Sequence, residues 1–478
     1  MTVKARCTRV ALNTATGNQD ITISGLGAAA EIRAAIFLVT GAVTDATQAT
    51  HAVTSWGLTD GTNHRVNGTA SEDGNSGSDT KRAGATDEVI LMINPTSGGA
   101  GSIDMEANFV SFITDGVRIN IGNAGAAFFC TVVFIVGNSF IAKCGDVVLP
   151  DRFADPQFVV TPLPFQADVI FSIMNGIAAY PQTPEADAMP GIGFWSRDAN
   201  DSGSVSSIDQ DAQSTTDSDM RPTNNFAAIQ SESNSNIPSP AISISDVTSS
   251  SFELVASSNP VSRETCVGFL ALHFEGVVAT DMQDDTNSPV ATGDYDVTVG
   301  FTPQFVMQMV SDNLSMGCGY GLGVFDAANE FSHSFDSEDG VTTSNANSRA
   351  DSKAVMVVDA NDTVRFEGTF SSFLATAYRI NYTTVQANGE DLVLLAIEEA
   401  PTLQYQQENF RWRTDDGSES AASWLQAEEV NITQPKSTNT RLRLTLDTTG
   451  ADPPTATRTL QYIQKGDNPS EWRDLLLT

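Results

Sequence analysis

Residues 57–74 (GLTDGTNHRVNGTASEDG) align without a gap on residues 323–340 (GVFDAANEFSHSFDSEDG). Gly57, Asp60 and Asn63 fall on Gly323, Asp326 and Asn329, and Asp73 and Gly74 of one SEDG fall on Asp339 and Gly340 of the other. Further on, 109–121 (FVSFITDGVRINI) lies on 370–382 (FSSFLATAYRINY), again gapless. A duplication of this size means that one folding unit was copied, and it restricts the chain to modular architectures.

The texture of the copied unit is β. Short runs rich in Val, Ile, Phe and Thr alternate with polar residues and are separated by Gly, Asn, Asp and Ser clusters. In 299–310 (VGFTPQFVMQMV), Phe305, Met307 and Met309 recur at period two. Helical stripes are rare; 31–38 is the one modest candidate and reads equally well as a strand. A sheet with one apolar face must be covered, and without helices a second sheet is the natural cover. The expected fold is therefore all-β: tandem β-sandwich, jelly-roll-like modules, three of them related, plus a smaller C-terminal β-sandwich.

The first unit spans 1–143 and the third 294–400, each closed by an apolar strand (128–135, FFCTVVFI; 391–397, DLVLLAI). A diverged second unit spans 144–276. Its 191–195 (GIGFW) resembles 321–325 (GLGVF), and 206–211 (SSIDQD) stands near the place of SEDG. The Asp-, Gly- and Pro-bearing stretches 144–156 and 276–293 read as linkers, and the polar insert 198–225 as loops at one end of a sandwich. Residues 403–478, richer in Gln, Arg and Trp, form a fourth β domain.

Charge narrows the partners. Asp plus Glu number 59 against 25 Lys plus Arg, a net charge of −34 with only six lysines. Such a field repels nucleic acid and anionic membranes, and it suits an exposed particle in salt. The N-terminal MTVKARCTRVALN holds no signal-peptide core, so synthesis in a cytoplasm without a signal peptide is expected. Five scattered cysteines without a CxxC pair argue against a disulfide framework; Cys130 and Cys266 sit in apolar runs and read as buried.

Catalytic signatures are missing: no GxSxG, HExxH or P-loop occurs, and His51, His64, His273 and His333 share no motif and read as surface residues. The chain is expected not to be an enzyme and to need no cofactor. Calcium is the one metal with candidates, through Asp198, Asp201, Asp209 and Asp211 in the acidic insert, against a bland reading as solvated turn residues. The repeated Asp60/Asn63 and Asp326/Asn329 read as turn-holding pairs. Trp56 and Trp195, beside the same glycine-flanked motif, could stack on a sugar, although core packing is the commoner fate; Trp412, Trp424 and Trp472 read as the core of the tail.

The order of these elements (an opening strand, GxG, SEDG, a Ser/Asn/Arg stretch, FxSF and a closing apolar strand) resembles repeat modules in virion proteins of tailed bacteriophages and related archaeal viruses, often described as tail-fibre-like. The tail, with 410–425 (FRWRTDDGSESAASWL) and 431–444 (NITQPKSTNTRLRL), looks like a second module of the same proteins. The resemblance implies a structural virion protein in a tail fibre, baseplate or other surface appendage, contributing to assembly and host attachment. It implies display at the virion surface, as a symmetric homo-oligomer, against other virion proteins and a host glycan or protein. Tandem sandwiches would give a rod. The alternatives are a head decoration or turret protein and, from another class, a virion-associated polysaccharide-degrading enzyme. No catalytic residue is inherited through the resemblance.

Overall fold

The computed structural model describes residues 4–98, 101–137, 140–149, 157–197, 200–230, 238–258, 265–274, 280–287, 289–311, 319–386, 391–398, 404–415, 423–433, 435, 438–449, 461–462 and 473–474. Its regular structure is almost entirely antiparallel strand; the one helical piece among the described residues is a single 3-10 turn, Ala29–Glu31. No helix among the described residues is long and apolar enough to cross a membrane.

Three two-sheet sandwiches share one ten-strand topology. In the first, the strands Lys4–Ala11, Phe129–Val136, Ile32–Thr40, Ala52–Thr59, His64–Ser71 and Thr80–Ala85 form one sheet in that order. The facing sheet runs Gly17–Thr22, Gly116–Asn123, Ser102–Ile113, Glu88–Asn94. The second sandwich repeats both sheets, from Phe140–Leu149 to Thr265–Phe274, and the third repeats them from Thr280–Asn287 to Asp391–Glu398. In each, the last strand inserts beside the first, as closing a sandwich requires.

Several boundaries differ from the sequence expectation. Both stretches read as linkers hold all or part of the opening strand of a sandwich: Phe140–Leu149, which runs into the first of them, pairs with Thr265–Phe274, and Thr280–Asn287 with Asp391–Glu398. Position 143 therefore falls inside a strand of the second sandwich, and the third begins before 294. The insert 198–225 holds the strands Asp201–Asp209 and Ser218–Thr223. These strands are polar because they lie at sheet edges and junctions, where alternation with apolar residues is not needed. The ambiguous stretch 31–38 is almost wholly the buried strand Ile32–Thr40.

Glycine sets the spacing between sheets. A Cβ on Gly57 would sit 2.0 Å from the Val89 carbonyl oxygen, on Gly193 2.0 Å from that of Phe226, and on Gly323 1.8 Å from that of Ala354. All three positions are equivalent, so this one glycine, the second of GxG in the second and third sandwiches and preceded by Ser55–Trp56 in the first, marks where the facing sheets touch backbone to backbone.

The six-stranded sheets are buried on both faces, which accounts for the unbroken apolar runs. On Phe129–Val136, Cys130, Val132, Phe134 and Val136 join the core of the first sandwich. Thr131, between them, points the other way, to His333 of the third. Trp56 likewise packs against Tyr320 and Phe335 of the third sandwich, with ring centroids 6.1 and 6.3 Å away. The exposed four-stranded sheets carry ladders instead: Arg118 Nε donates to Asp20 at 2.6 Å and Arg379 Nε to Asp296 at 2.6 Å, the role of the repeated RIN.

Each sandwich touches both others, so the three close on one another and do not string into a rod. Arg65 of the first binds Asp146 of the second, Arg6 of the first binds Asp326 of the third, and Ser218 of the second bonds to Ser337 of the third. Two strands even cross over: Gln182–Ala186 of the second extends the first sandwich's sheet, and Ala49–Thr50 of the first extends the third's.

The tail forms a separate unit. Its described residues make the ribbon Gln404–Thr414 with Thr440–Thr449, and the short pair Gln461–Tyr462 with Arg473–Asp474. Trp412 is half-buried and Trp424 is exposed, with Arg411 4.3 Å above its ring. Trp472 lies outside the described residues.

Candidate functional site

Both SEDG motifs converge with a third, hidden copy. Structure aligns Ser71–Gly74 with Ser337–Gly340 and with Asp209, Gln210, Asp211 and Ala212 of the second sandwich. Each copy closes the same turn through a backbone bond: Glu72 N to Asp79 O, Gln210 N to Asp217 O, Glu338 N to Asn345 O. Gly74 and Gly340 adopt φ of 76° and 74°, and Ala212 is held at 57° in the same left-handed region. The second copy has lost its glycine and keeps the strained backbone.

The three turns interlock in a ring. Asp73 Oδ1 accepts the Ala346 amide at 3.1 Å, Asp339 Oδ1 the Ser218 amide at 3.1 Å, and Asp211 Oδ1 the Thr80 amide at 2.9 Å. Each aspartate thus caps the next sandwich round. A hydroxyl repeats the pattern: Ser344 Oγ accepts from Asn75 N, Thr216 Oγ1 from Val341 N and Ser78 Oγ from Gln213 N. Reciprocal backbone bonds complete it, with Gly74 N to Ser344 O and Ser344 N to Asn75 O repeated at Gly340/Thr216/Val341 and Ala212/Ser78/Gln213. The same four bonds recur at each of the three contacts, a threefold-like collar made by one chain.

Beneath the collar the first motif residues meet. Asp209 is buried and its oxygens accept the hydroxyls of Ser218 at 2.9 Å and Ser337 at 2.6 Å. Burial pushes the Asp209 carboxyl above the ordinary range, partly offset by the hydroxyls of Ser337, Ser71 and Ser218.

A second set of contacts uses the other repeated aspartate twice over. Asp60 Oδ1 closes its own turn with the amides of Thr62 (2.8 Å) and Asn63 (2.6 Å), and its Oδ2 accepts the Cys144 amide of the second sandwich at 2.8 Å. Asp326 Oδ1 takes the amides of Ala328 and Asn329, and its Oδ2 accepts the Cys7 amide of the first sandwich at 3.0 Å. The thiols follow: Cys144 Sγ points to Leu58 O at 3.6 Å and Cys7 Sγ to Val324 O at 4.0 Å. Burial raises the pKa of both thiols, so they stay protonated. At the third contact Ser196 stands in the aspartate's place.

The other candidates sort by burial. Trp56 and Trp195 are 3% and 5% exposed and packed in apolar surroundings, so neither offers a ring to a sugar. Asp209 and Asp211 are spent in the collar, Asp201 Oδ1 takes the Ser202 amide, and Asp198 lies outside the described residues. Among the described residues no group of three or more His, Cys, Asp or Glu could hold a metal ion. His333 is not a surface residue: it is buried between sandwiches with Nε2 2.7 Å from Thr131 Oγ1, and burial lowers its pKa to about 3. His51 accepts the Asp73 amide on Nδ1 at 2.9 Å.

From sequence the collar's third copy was only placed near SSIDQD, because DQDA shares one residue with SEDG. Its signal was spacing: Asp211 is followed six residues on by Asp217, as Asp73 is by Asp79. No protein-family model, curated protein or solved structure matches this chain.

Proposed function

We propose that this protein is a structural component of a tailed-virus particle, a tail-fibre, baseplate or other surface appendage that serves assembly and host attachment. The observation that carries the reading is the fate of the repeated motif side chains. Asp60, Asp73, Asp326 and Asp339 all cap backbone amides of a neighbouring sandwich. Residues spent on rigidity mark a scaffold. The acidic surface favours solubility in a crowded, salty particle. Partners on this reading are other virion proteins, further copies of the chain and a host-surface receptor.

The closed triad favours a second placement. A block with three like faces around one axis matches a local threefold position of an icosahedral shell, where a head decoration protein sits. Mass spectrometry of purified particles and a density map of the intact virion test both readings. The chain is expected in purified particles, and the map decides between tail and head. Its absence from them overturns the proposal.

A further inference from the structure

The ribbon of the tail sets like charges opposite one another. Antiparallel pairing places Arg411 opposite Arg443 and Arg413 opposite Arg441. Opposed residues and residues two apart share a face, so all four arginines belong to one face of the ribbon. Like charges directly opposite destabilise a strand pair unless anions meet them. Trp424 lies on the same face: a single antiparallel bridge pairs it with Arg413, and the Arg411 and Arg413 guanidinium carbons stand 4.3 and 5.6 Å from its ring centre. Arg413 is buried, and Arg441 Nε donates to Asp415 at 2.7 Å. Arg443 is exposed and makes no hydrogen bond or ion pair among the described residues, and Trp424 is 39% exposed.

Charge is divided unevenly along the chain. Residues 400–478 hold 8 of the 25 basic and 11 of the 59 acidic side chains, a net charge of −3, and residues 1–399 carry −31. Within those sandwiches the three collar junctions repeat one backbone pattern and differ in charge. Flanking the amide that Asp211 caps are Asp79 and Lys81, whose ammonium binds the Asp79 carboxylate. Flanking the amide that Asp73 caps are Asn345 and Asn347. Flanking the amide that Asp339 caps are Asp217 and Asp219. There three carboxyls crowd together. Burial raises the pKa of Asp217 and of Asp219, and the Asp339 charge raises both further. One junction of the three is thus strongly acidic.

We propose that the arginine face of the tail docks on the Asp217, Asp219 and Asp339 junction of a second copy of this chain. A guanidinium is weakly hydrated and matches a carboxylate with two parallel N–H donors, so a face of arginines around an indole suits a carboxylate-rich protein surface. The sandwiches, at −31, supply that surface. One acidic junction and one arginine ribbon per chain fit a one-to-one contact. Because the two faces are unlike, each added copy leaves one of each open, and the assembly grows as a filament or closes as a ring. The contact deepens the virion reading above, from which it takes its biological sense, by naming the surfaces through which copies of the chain meet.

Sedimentation velocity of the full chain over a range of protein concentrations tests it. At low salt the sedimentation coefficient should rise with concentration, and the rise should vanish at about 1 M salt, where the screening length falls to about 3 Å. Arg443→Glu and Asp219→Arg should each weaken association by about tenfold or more. Both reversals in one chain should restore it, which misfolding of either variant cannot do. Chains that stay monomeric at low salt, association that survives about 1 M salt or either single reversal, or a double reversal no better than the single ones would overturn the contact. Heparin bound through Arg443 by chains that stay apart would assign the face to an anionic polysaccharide and overturn it too. Failure here with the chain present in virions sinks only this contact; association here with the chain absent from virions sinks only the virion reading.

Discussion

Asp326 reaches the Cys7 amide, 319 residues away in sequence, while its other oxygen closes the turn that carries it. One side chain therefore ties local turn geometry to the contact between the third and first sandwiches. Asp60 does the same between the first and second with Cys144. Asp326→Ala should orphan the buried Cys7 amide and the Arg6 guanidinium together, costing about 3 kcal/mol. Asp326→Asn, which keeps one acceptor, should cost less. Chemical denaturation of the two variants checks the order.

The backbone contact at the equivalent glycines Gly57 and Gly323 makes a sharper test. Gly323→Ala places a methyl 1.8 Å from the Ala354 carbonyl oxygen, and Gly57→Ala places one 2.0 Å from that of Val89. Neither carbonyl can move without parting the sheets, so each change should cost about 3 kcal/mol or prevent folding. Gly98→Ala, with nothing within 4 Å, should be neutral in the same melt. Equal melting of all three would show that the facing sheets do not touch as described.

The two kinds of junction respond to pH with opposite sign. His333 has a folded pKa lowered to about 3, so between its ordinary range and about 3 the unfolded chain holds the extra proton. Stability from this group is present at neutral pH and lost as pH falls through that window. His333→Gln should flatten the acid limb of the unfolding midpoint against pH. A limb unchanged in the variant would mean that the imidazole is solvated.

Asp209 runs the other way. Its folded pKa is raised, so the folded chain holds the extra proton, and stability falls as pH rises from the ordinary carboxylate range through the raised value. Asp209→Asn should remove that decline and leave the protein at least as stable at neutral pH, because Ser218 and Ser337 can turn their hydroxyls to suit an amide. A large loss at neutral pH in the variant would assign the carboxylate's charge a supporting role.

Much of the architecture was legible because it was repeated: two copies of Gly57, Asp60 and SEDG announced two copies of one sandwich. The third was legible only in part, since Asp209, Gln210 and Ala212 keep the backbone path while changing the side chains. The opening strand Phe140–Leu149 hid behind Gly145 and Asp146, which mimic a linker although Asp146 binds Arg65. What the motif aspartates do was illegible. Asp73 finds its amide at Ala346, and no local pattern encodes a partner so distant in sequence. For Trp56 and Trp195 the commoner of the two readings, core packing, describes where they lie, but not that Trp56 faces a neighbouring sandwich and not its own core.

A density map of the isolated chain at side-chain resolution tests the central claim most directly. Three sandwiches should surround one axis, with Asp73 on the Ala346 amide, Asp339 on that of Ser218 and Asp211 on that of Thr80, in cyclic order. Three sandwiches in line, or any of these carboxylates turned to solvent with its amide bonded elsewhere, would contradict it.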